Sequence, residues 1–375
     1  MATSPDPLSG GSIIRPQLSS IVTNIVLGGG SFSQQSHSDP TRLPVRKIIQ
    51  LALDNGIRTF DTSPYYGPSE ILLGDAFSQP AISSKYKRSE YQLMTKVGRI
   101  AADQFNYSRS WIRASVDRSL QRLQTSYLDV VFCHDIEYVT EEEAVGAVGF
   151  LLELVEERKI RYVGVSGYPI DKLVRVAQLV REQYMRPLDA VQGWGQLTLQ
   201  NTRMEREGLP NLYAAGVNCI FNSSPLCIGL LRSGGVPVGT LGDWHPAPQG
   251  LRQAVLQASS WLEDRQETLS AVALRFCISR LSIATKSLGA SMVFAASSVS
   301  ELEDNLQTLT SIMQETVGGT SHFRDIRHLR AINKAQLERD MPLFDGVRGI
   351  LGPWIDYTFE IPEKEWDNER RVVQG

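Results

Sequence analysis

From Ile21 onward, short β-branched and aromatic runs alternate with longer segments in which apolar residues recur at helical spacing. Ile21 to Leu27 reads as a strand ending on "GGG", and Pro44 then opens "PVRKIIQLALDNG", a helix stopped by Gly56. The rhythm repeats. Strands are expected over Ile57 to Phe60, Tyr91 to Thr95, Tyr127 to Cys133 and Tyr162 to Val165, with helices over Ser69 to Phe77, "SRSWIRASVDRSLQRLQ" capped by Ser108, "TEEEAVGAVGFLLELVEERK" and "IDKLVRVAQLVREQ". Ala190 and Val191 close a sixth strand, and "NLYAAG" leads into a seventh at Val217 to Phe221. A loop with Gly229, Gly234, Gly235, Gly239 and Gly242 precedes a long helix from Leu251 to Ser279, with a break expected near Gln266. Met292 to Ala295 and "SELEDNLQTLTSIMQ" make the last pair.

Eight strand and helix pairs imply parallel strands joined by right-handed crossovers, hence a doubly wound sheet or a closed barrel. Near-equal repeats without a dividing polar linker favour an α/β fold of the (β/α)8 TIM-barrel type over residues 21–317. A doubly wound dinucleotide domain would carry G-x-G-x-x-G after its first strand, and "GGGSFSQQ" does not fit it. Residues 1–20 are Pro/Gly/Ser-rich and read as a flexible arm. Residues 318–375 read as an added helix, "DIRHLRAINKAQLERDM", and an aromatic tail, "LFDGVRGILGPWIDYTFEIP", placed to cover the barrel mouth.

Composition narrows the partners. The 375 residues are 42% hydrophobic and 21% charged with a net charge of -3, and their basic residues are scattered, so neither nucleic acid nor a membrane surface is expected. No run approaches the ~20 apolar residues needed to span a bilayer. Cys133, Cys219, Cys227 and Cys277 form no CxxC pair and no cluster with histidine, so no metal is expected and a cytoplasmic setting with reduced thiols is. A small-molecule partner remains; no sustained heptad fixes an oligomeric state.

In such a barrel the chemistry sits where strands end. Asp61 follows the second strand with Tyr66 in its loop, Lys96 ends the third and His134 follows the fourth. Each alone has a structural explanation, but four titratable groups of complementary type at three successive strand ends form a constellation. An ammonium beside a phenol favours the phenolate and lowers its pKa; Asp61 would hold Lys96 charged, and His134 would orient a substrate oxygen, leaving Tyr66 as acid/base. No activated nucleophile or metal cluster accompanies them, and a proton relay without an electron sink calls for a redox cofactor.

"DTSPYYG", "TKVG", the strand-end "HD", "VGVSGYP", Gln192, "NSSPL" and "ASSVSELEDNL" together resemble the aldo-keto reductase superfamily in order and spacing across about residues 21–310. "DTSPYYGPSEILLG" and "GVSGYPID" resemble more narrowly its NAD-dependent sugar-dehydrogenase branch, that of fungal D-arabinose and plant L-galactose dehydrogenases. The resemblance implies oxidation of an aldose at C1 to the lactone, with hydride passing to a nicotinamide and Asp61, Tyr66, Lys96 and His134 as catalytic tetrad. It places Ser166 and Gln192 at the nicotinamide carboxamide, with Gly167 where an Asn is common. It places Ser223 where many relatives stack a Tyr, Ser224, Leu226 and Gly229 along the pyrophosphate, and Ala295, Ser297, Ser298, Glu301 and Asn305 along the adenosine end. Gly28 and Gly29 would allow close backbone approach at the mouth.

Relatives that recognise the 2'-phosphate of NADP carry basic residues where this chain has Ser297 and Glu301. A carboxylate repels a phosphate dianion and accepts from ribose hydroxyls, so NAD is expected and NADP less so, unless Arg280 or Lys286 supplies a charge from elsewhere. Tyr65, Trp111, His134 and His245 are candidates for the substrate wall. The alternatives on the same scaffold are an NADPH-dependent reductase of an aldehyde or secondary-metabolite carbonyl, and a non-catalytic binding subunit.

Overall fold

A computed structural model describes residues 15–284, 289–315 and 329–359. Its elements are β1 (Ile25–Gly28), α1 (Val45–Asp54), β2 (Thr59–Asp61), α2 (Ser69–Ser78), the one-turn α3 (Pro80–Ser83), β3 (Gln92–Val97), α4 (Arg109–Arg122), β4 (Leu128–Cys133), α5 (Glu141–Glu156), β5 (Ile160–Gly167) and α6 (Ile170–Tyr184). There follow β6 (Ala190–Trp194), α7 (Leu209–Ala214), β7 (Cys219–Ser223), α8 (Gln249–Glu263), α9 (Leu269–Ala284), β8 (Gly289–Phe294), α10 (Val299–Ile312), β9 (Met313–Glu315), β10 (Leu329–Ile332) and α11 (Lys334–Leu351). Strands β1 to β8 pair in parallel with their sequence neighbours, and β8 pairs back onto β1, closing the barrel. The antiparallel pair β9–β10 stands apart from it.

The local signals act as expected. Ser108 accepts from Trp111 N–H at the start of α4, and Thr140 and Glu143 cap α5 reciprocally, each side chain accepting from the other's N–H. The break between α8 and α9 falls at Gln266, which takes a left-handed φ of 59°. Several boundaries differ: β1 starts at Ile25 instead of Ile21, and Met313–Glu315 and Leu329–Ile332, which overlap the expected helices "SELEDNLQTLTSIMQ" and "DIRHLRAINKAQLERDM", pair with each other as β9 and β10. Ala190 opens β6 instead of ending it, so Gln192 lies within the strand. The C-terminal helix runs to Leu351 and absorbs the first nine residues of the stretch expected as aromatic tail, because Phe344, Val347 and Leu351 recur at helical spacing and are buried against α8 and α9.

Side-chain alternation along the strands decides what faces the interior. Val26, Met94, Val130, Phe132, Tyr162, Ala190, Cys219, Phe221 and Val293 fill the barrel as one cluster, while Phe60, Val131, Cys133, Val163 and Val165 point outward under the helices. Lys96 is two residues beyond Met94 and Ser166 four beyond Tyr162, so both face the interior at its upper end. At the opposite end Leu18, in the turn Leu18–Ser20, is buried beneath the barrel and Pro16 C=O accepts from Tyr162 Oη at 2.7 Å. Residues 1–14 of the expected arm and 318–328 and 360–375 of the expected C-terminal region lie outside the described residues.

Candidate active site

A cavity of about 570 Å³ opens at the C-terminal ends of the strands. Asp61, Tyr66, Lys96 and His134 all border it. Lys96 Nζ, buried, donates to both Asp61 oxygens at 2.8 and 2.7 Å and to Thr62 C=O at 2.9 Å. Burial works to lower the ammonium's pKa, but Asp61 and Tyr66 outweigh it and hold Lys96 above the ordinary lysine value. The ammonium stands 5.0 Å from the centre of the Tyr66 ring. That ring meets His134 edge to face at 5.8 Å between centroids.

The phenol departs from the expectation. Burial pushes the Tyr66 pKa up, and Lys96 only partly offsets it because Asp61 and Asp135 add to the rise. Tyr66 is therefore a neutral phenol at neutral pH, a proton donor before it is an acceptor. His134 is pushed down to about 3 by burial, so it is a neutral imidazole. Ser63 Oγ accepts from Tyr65 N–H and shares a 3.1 Å hydrogen bond with His134 Nδ1. The carboxylate oxygen Asp135 Oδ2 stands 3.6 Å from Nε2 and favours the tautomer with its proton on that nitrogen. Asp135 is held by Arg99 in an ion pair, and the guanidinium also stacks 4.0 Å from the Tyr65 ring centre. Tyr107 Oη donates to His134 C=O from behind. Ser63, Arg99 and Tyr107 escaped the sequence reading; Ser63 lies inside "DTSPYYG" and looks like a turn residue there.

The other candidates divide. Gly28, Tyr65, Ser166, Gln192, Ser223, Ser224, Leu226, Gly229, His245, Ala295, Ser297, Glu301 and Asn305 line the same cavity. Gly29, Ser298 and Trp111 do not. A side chain on Gly29 would collide with Ser69 Oγ, so this glycine serves the packing of α2 against the β1 loop. Ser298 caps α10 by accepting from Glu301 N–H at 3.1 Å. Trp111 sits in the first turn of α4 with the Arg118 guanidinium 4.7 Å from its ring centre, a packing role that a lone aromatic more often has than a ligand role. His245 is a wall residue fixed by its backbone: Nε2 lies 3.1 Å from Cys227 C=O and Nδ1 accepts from Ala247 N–H.

Several features suit a dinucleotide. Gln192 donates to Asp61 at 3.4 Å, while its buried Oε1 has no partner; Ser166, opposite it in the β5–β6 register, borders the same cavity. A primary amide of the ligand would satisfy that acceptor. Cys227, Ile228 and Gly229 take successive left-handed φ values of 51°, 50° and 97° in the loop after β7, backbone strain of the kind that collects at binding loops. Glu301 Oε2 accepts from Ser297 N–H and Oγ–H at 2.7 and 2.8 Å, which fixes its carboxylate over the β8 end of the cavity. Arg280, a possible counter-charge, is committed to Glu205 at 2.9 and 2.5 Å, and Lys286 lies outside the described residues.

Known proteins resemble the chain in sequence and in fold. The chain is 38% identical to the D-arabinose 1-dehydrogenase of Saccharomyces cerevisiae over 260 residues, 69% of this chain and 76% of that one. It is 33% identical to the L-galactose dehydrogenase of Arabidopsis thaliana over 271 residues, 72% of this chain and 77% of the relative. Among solved structures, a glycerol dehydrogenase of Gluconobacter oxydans superposes with a TM-score of 0.57 at 20% identity, covering 90% of this chain and 94% of that one. An aldo-keto reductase of Bacillus halodurans gives 0.56 at 23% identity, covering 82% and 91%; these two speak to the fold alone. With residues 24–318 matching the aldo/keto reductase family, the chain belongs to that family and is an oxidoreductase.

Proposed function

We propose that the chain is an NAD-dependent sugar dehydrogenase that oxidises an aldose at C1 to its lactone. The observation that carries this reading is the convergence of a buried Asp61–Lys96 pair, the Tyr66 phenol and the neutral His134 imidazole on one cavity. The two sugar dehydrogenases that resemble it at 38% and 33% identity support the substrate class. When bound, the nicotinamide supplies the hydride acceptor. The remaining work falls to side chains. Ser166 and the free Gln192 Oε1 would hold the carboxamide. His134 Nε2–H donates to the oxygen on C1 and orients the C–H bond, and the hydroxyl proton passes to Tyr66 Oη as hydride leaves C1. Lys96, kept charged by Asp61, stabilises the phenolate that must exist before that proton can be taken.

The NAD preference rests on charge. With Glu301 fixed by Ser297, a 2'-phosphate at that end of the cavity meets a carboxylate instead of a guanidinium. Steady-state rates with D-arabinose or L-galactose and either dinucleotide test the whole reading. NAD should exceed NADP in kcat/KM by at least about tenfold, the effect of roughly 1.4 kcal/mol of differential binding, and Tyr66→Phe should abolish turnover while leaving dinucleotide binding intact. An NADPH-led reduction of simple aldehydes with no sugar oxidation would replace it with the carbonyl-reductase reading.

A further inference from the structure

Among the buried carboxyls that border the cavity, Glu137 is used by neither an ion pair nor the chemistry above. It stands in the turn Ile136–Tyr138 that follows β4. Its Oε1 accepts from Tyr168 N–H at 2.9 Å, and its buried Oε2 has no partner. That second oxygen occupies the place where a side chain on Gly167 would begin: a Cβ there would collide with it. Glu137 therefore fills the niche that the glycine leaves beside Ser166. The consequence reaches across the mouth. Tyr168, gripped by its N–H, accepts from Gln196 Nε2 at its carbonyl and from Phe359 N–H at its hydroxyl, 3.0 Å away.

The charges around Glu137 are unfavourable to its anion. Asp135 on the same turn repels it, and Arg99, from the loop after β3, is already engaged by Asp135. Tyr107, ahead of α4, Tyr138 on its own turn and Tyr168, after β5, are the other titratable groups around it. Burial first, and Asp135 second, push Glu137 up to about 8. An acid whose pKa is raised on folding is at home in its neutral form. Ionised, the unpartnered Oε2 would carry buried charge that only cavity water could relieve, and turning to that water means leaving the niche.

We propose that Glu137 is a positioning residue for Ser166: its neutral carboxyl fills the Gly167 niche and holds the Ser166–Tyr168 turn in place for the nicotinamide end of the cofactor, and its anion releases that turn. The inference rests on reading the cavity as a nicotinamide site. Dinucleotide affinity should then be flat up to about pH 8 and fall beyond it. Neither neighbour in the reaction confuses this window, since burial pushes His134 down to about 3 and raises Tyr66 above the ordinary phenol value.

Fluorescence titration of NADH into the full-length protein between pH 7 and 9.5 is the test. For the wild type, Kd should rise by about tenfold per pH unit above about 8, as expected when only the protonated form binds well. Glu137→Gln keeps the shape and the acceptor for Tyr168 N–H but cannot ionise, so its Kd should stay level across the range. Glu137→Ala should bind weakly at every pH. If the alanine variant does not fold, the glutamine profile alone decides. A glutamine variant that loses affinity in step with the wild type, or a wild type whose Kd does not change above pH 8, overturns the role of Glu137 while leaving the cofactor reading intact. Absence of binding of both NADH and NADPH at any pH overturns the two together.

Discussion

At the scale of single residues, the site is governed by desolvation as much as by charge. Lys96 was expected to bring the Tyr66 phenol down, yet burial raises it, because removing a phenolate from water costs more than one ammonium returns when Asp61 and Asp135 stand nearby. The rate of sugar oxidation at saturating NAD should therefore climb through the alkaline range as the raised phenol approaches ionisation, while carbonyl reduction, which needs the phenol, should hold and then decline. On the acid side no limb near pH 6.5 is expected, since His134 stays neutral down to about 3. Parallel pH profiles of the two directions check both statements. The meeting of Asp61, Tyr66, Lys96 and His134 at one cavity was legible in the chain because strand-end position and residue type are both local. Ser63, Arg99, Tyr107 and Glu137 were not, because a serine in a turn or a glutamate after "HD" shows nothing of which distant atom it meets; Ser63 and His134 are 71 residues apart. Trp111 misled for the converse reason: aromaticity is visible in a sequence, and the face it turns to is not.

The eight barrel strands were legible in number and order, since hydrophobic period and capping residues decide those, and less so in extent, while β9 and β10 fell where helix was expected. The extension of α11 through "LFDGVRGIL" shows why. Pro342 and two glycines, Gly346 and Gly349, weaken its intrinsic helicity, and burial of Phe344, Val347 and Leu351 against α8 and α9 overrides them. The same competition runs the other way in α2. Gly74 costs the helix roughly 1 kcal/mol against alanine in propensity, but a Cβ at that position would collide with the Arg122 carbonyl at the end of α4. Gly74→Ala should thus destabilise the protein, by about 1–3 kcal/mol of overpacking, where an exposed helix would gain. Urea unfolding of the variant gives the sign directly.

For the molecule as a whole, two anchors attach the C-terminal region to the barrel. Arg275 on α9 donates to buried Asp340 of α11 at 2.9 Å and pairs with Glu267 at 3.0 Å. Asp340→Ala leaves that guanidinium with its buried partner gone and should cost about 3–5 kcal/mol, the usual penalty for breaking a buried pair; thermal unfolding with and without NAD measures it. The second anchor is the segment Trp354–Phe359. Gln200 Nε2 donates to Trp354 C=O and Tyr357 C=O at 2.7 and 3.0 Å, Asp356 accepts from Thr202 N–H at 2.7 Å and pairs with Arg206 at 2.9 Å. Phe359 thereby reaches the cavity, 5.7 Å from the Tyr168 ring centre and 5.6 Å from that of His245.

That grip joins stretches about 150 positions apart, so the order of synthesis enters the architecture. A nascent chain that has emerged from the ribosome only as far as Gly352 would already hold every barrel strand and the Asp61–Lys96 pair, yet would lack Phe359 on one side of the cavity. On the proposed function, such an intermediate would bind its coenzyme before the wall that meets the substrate is complete.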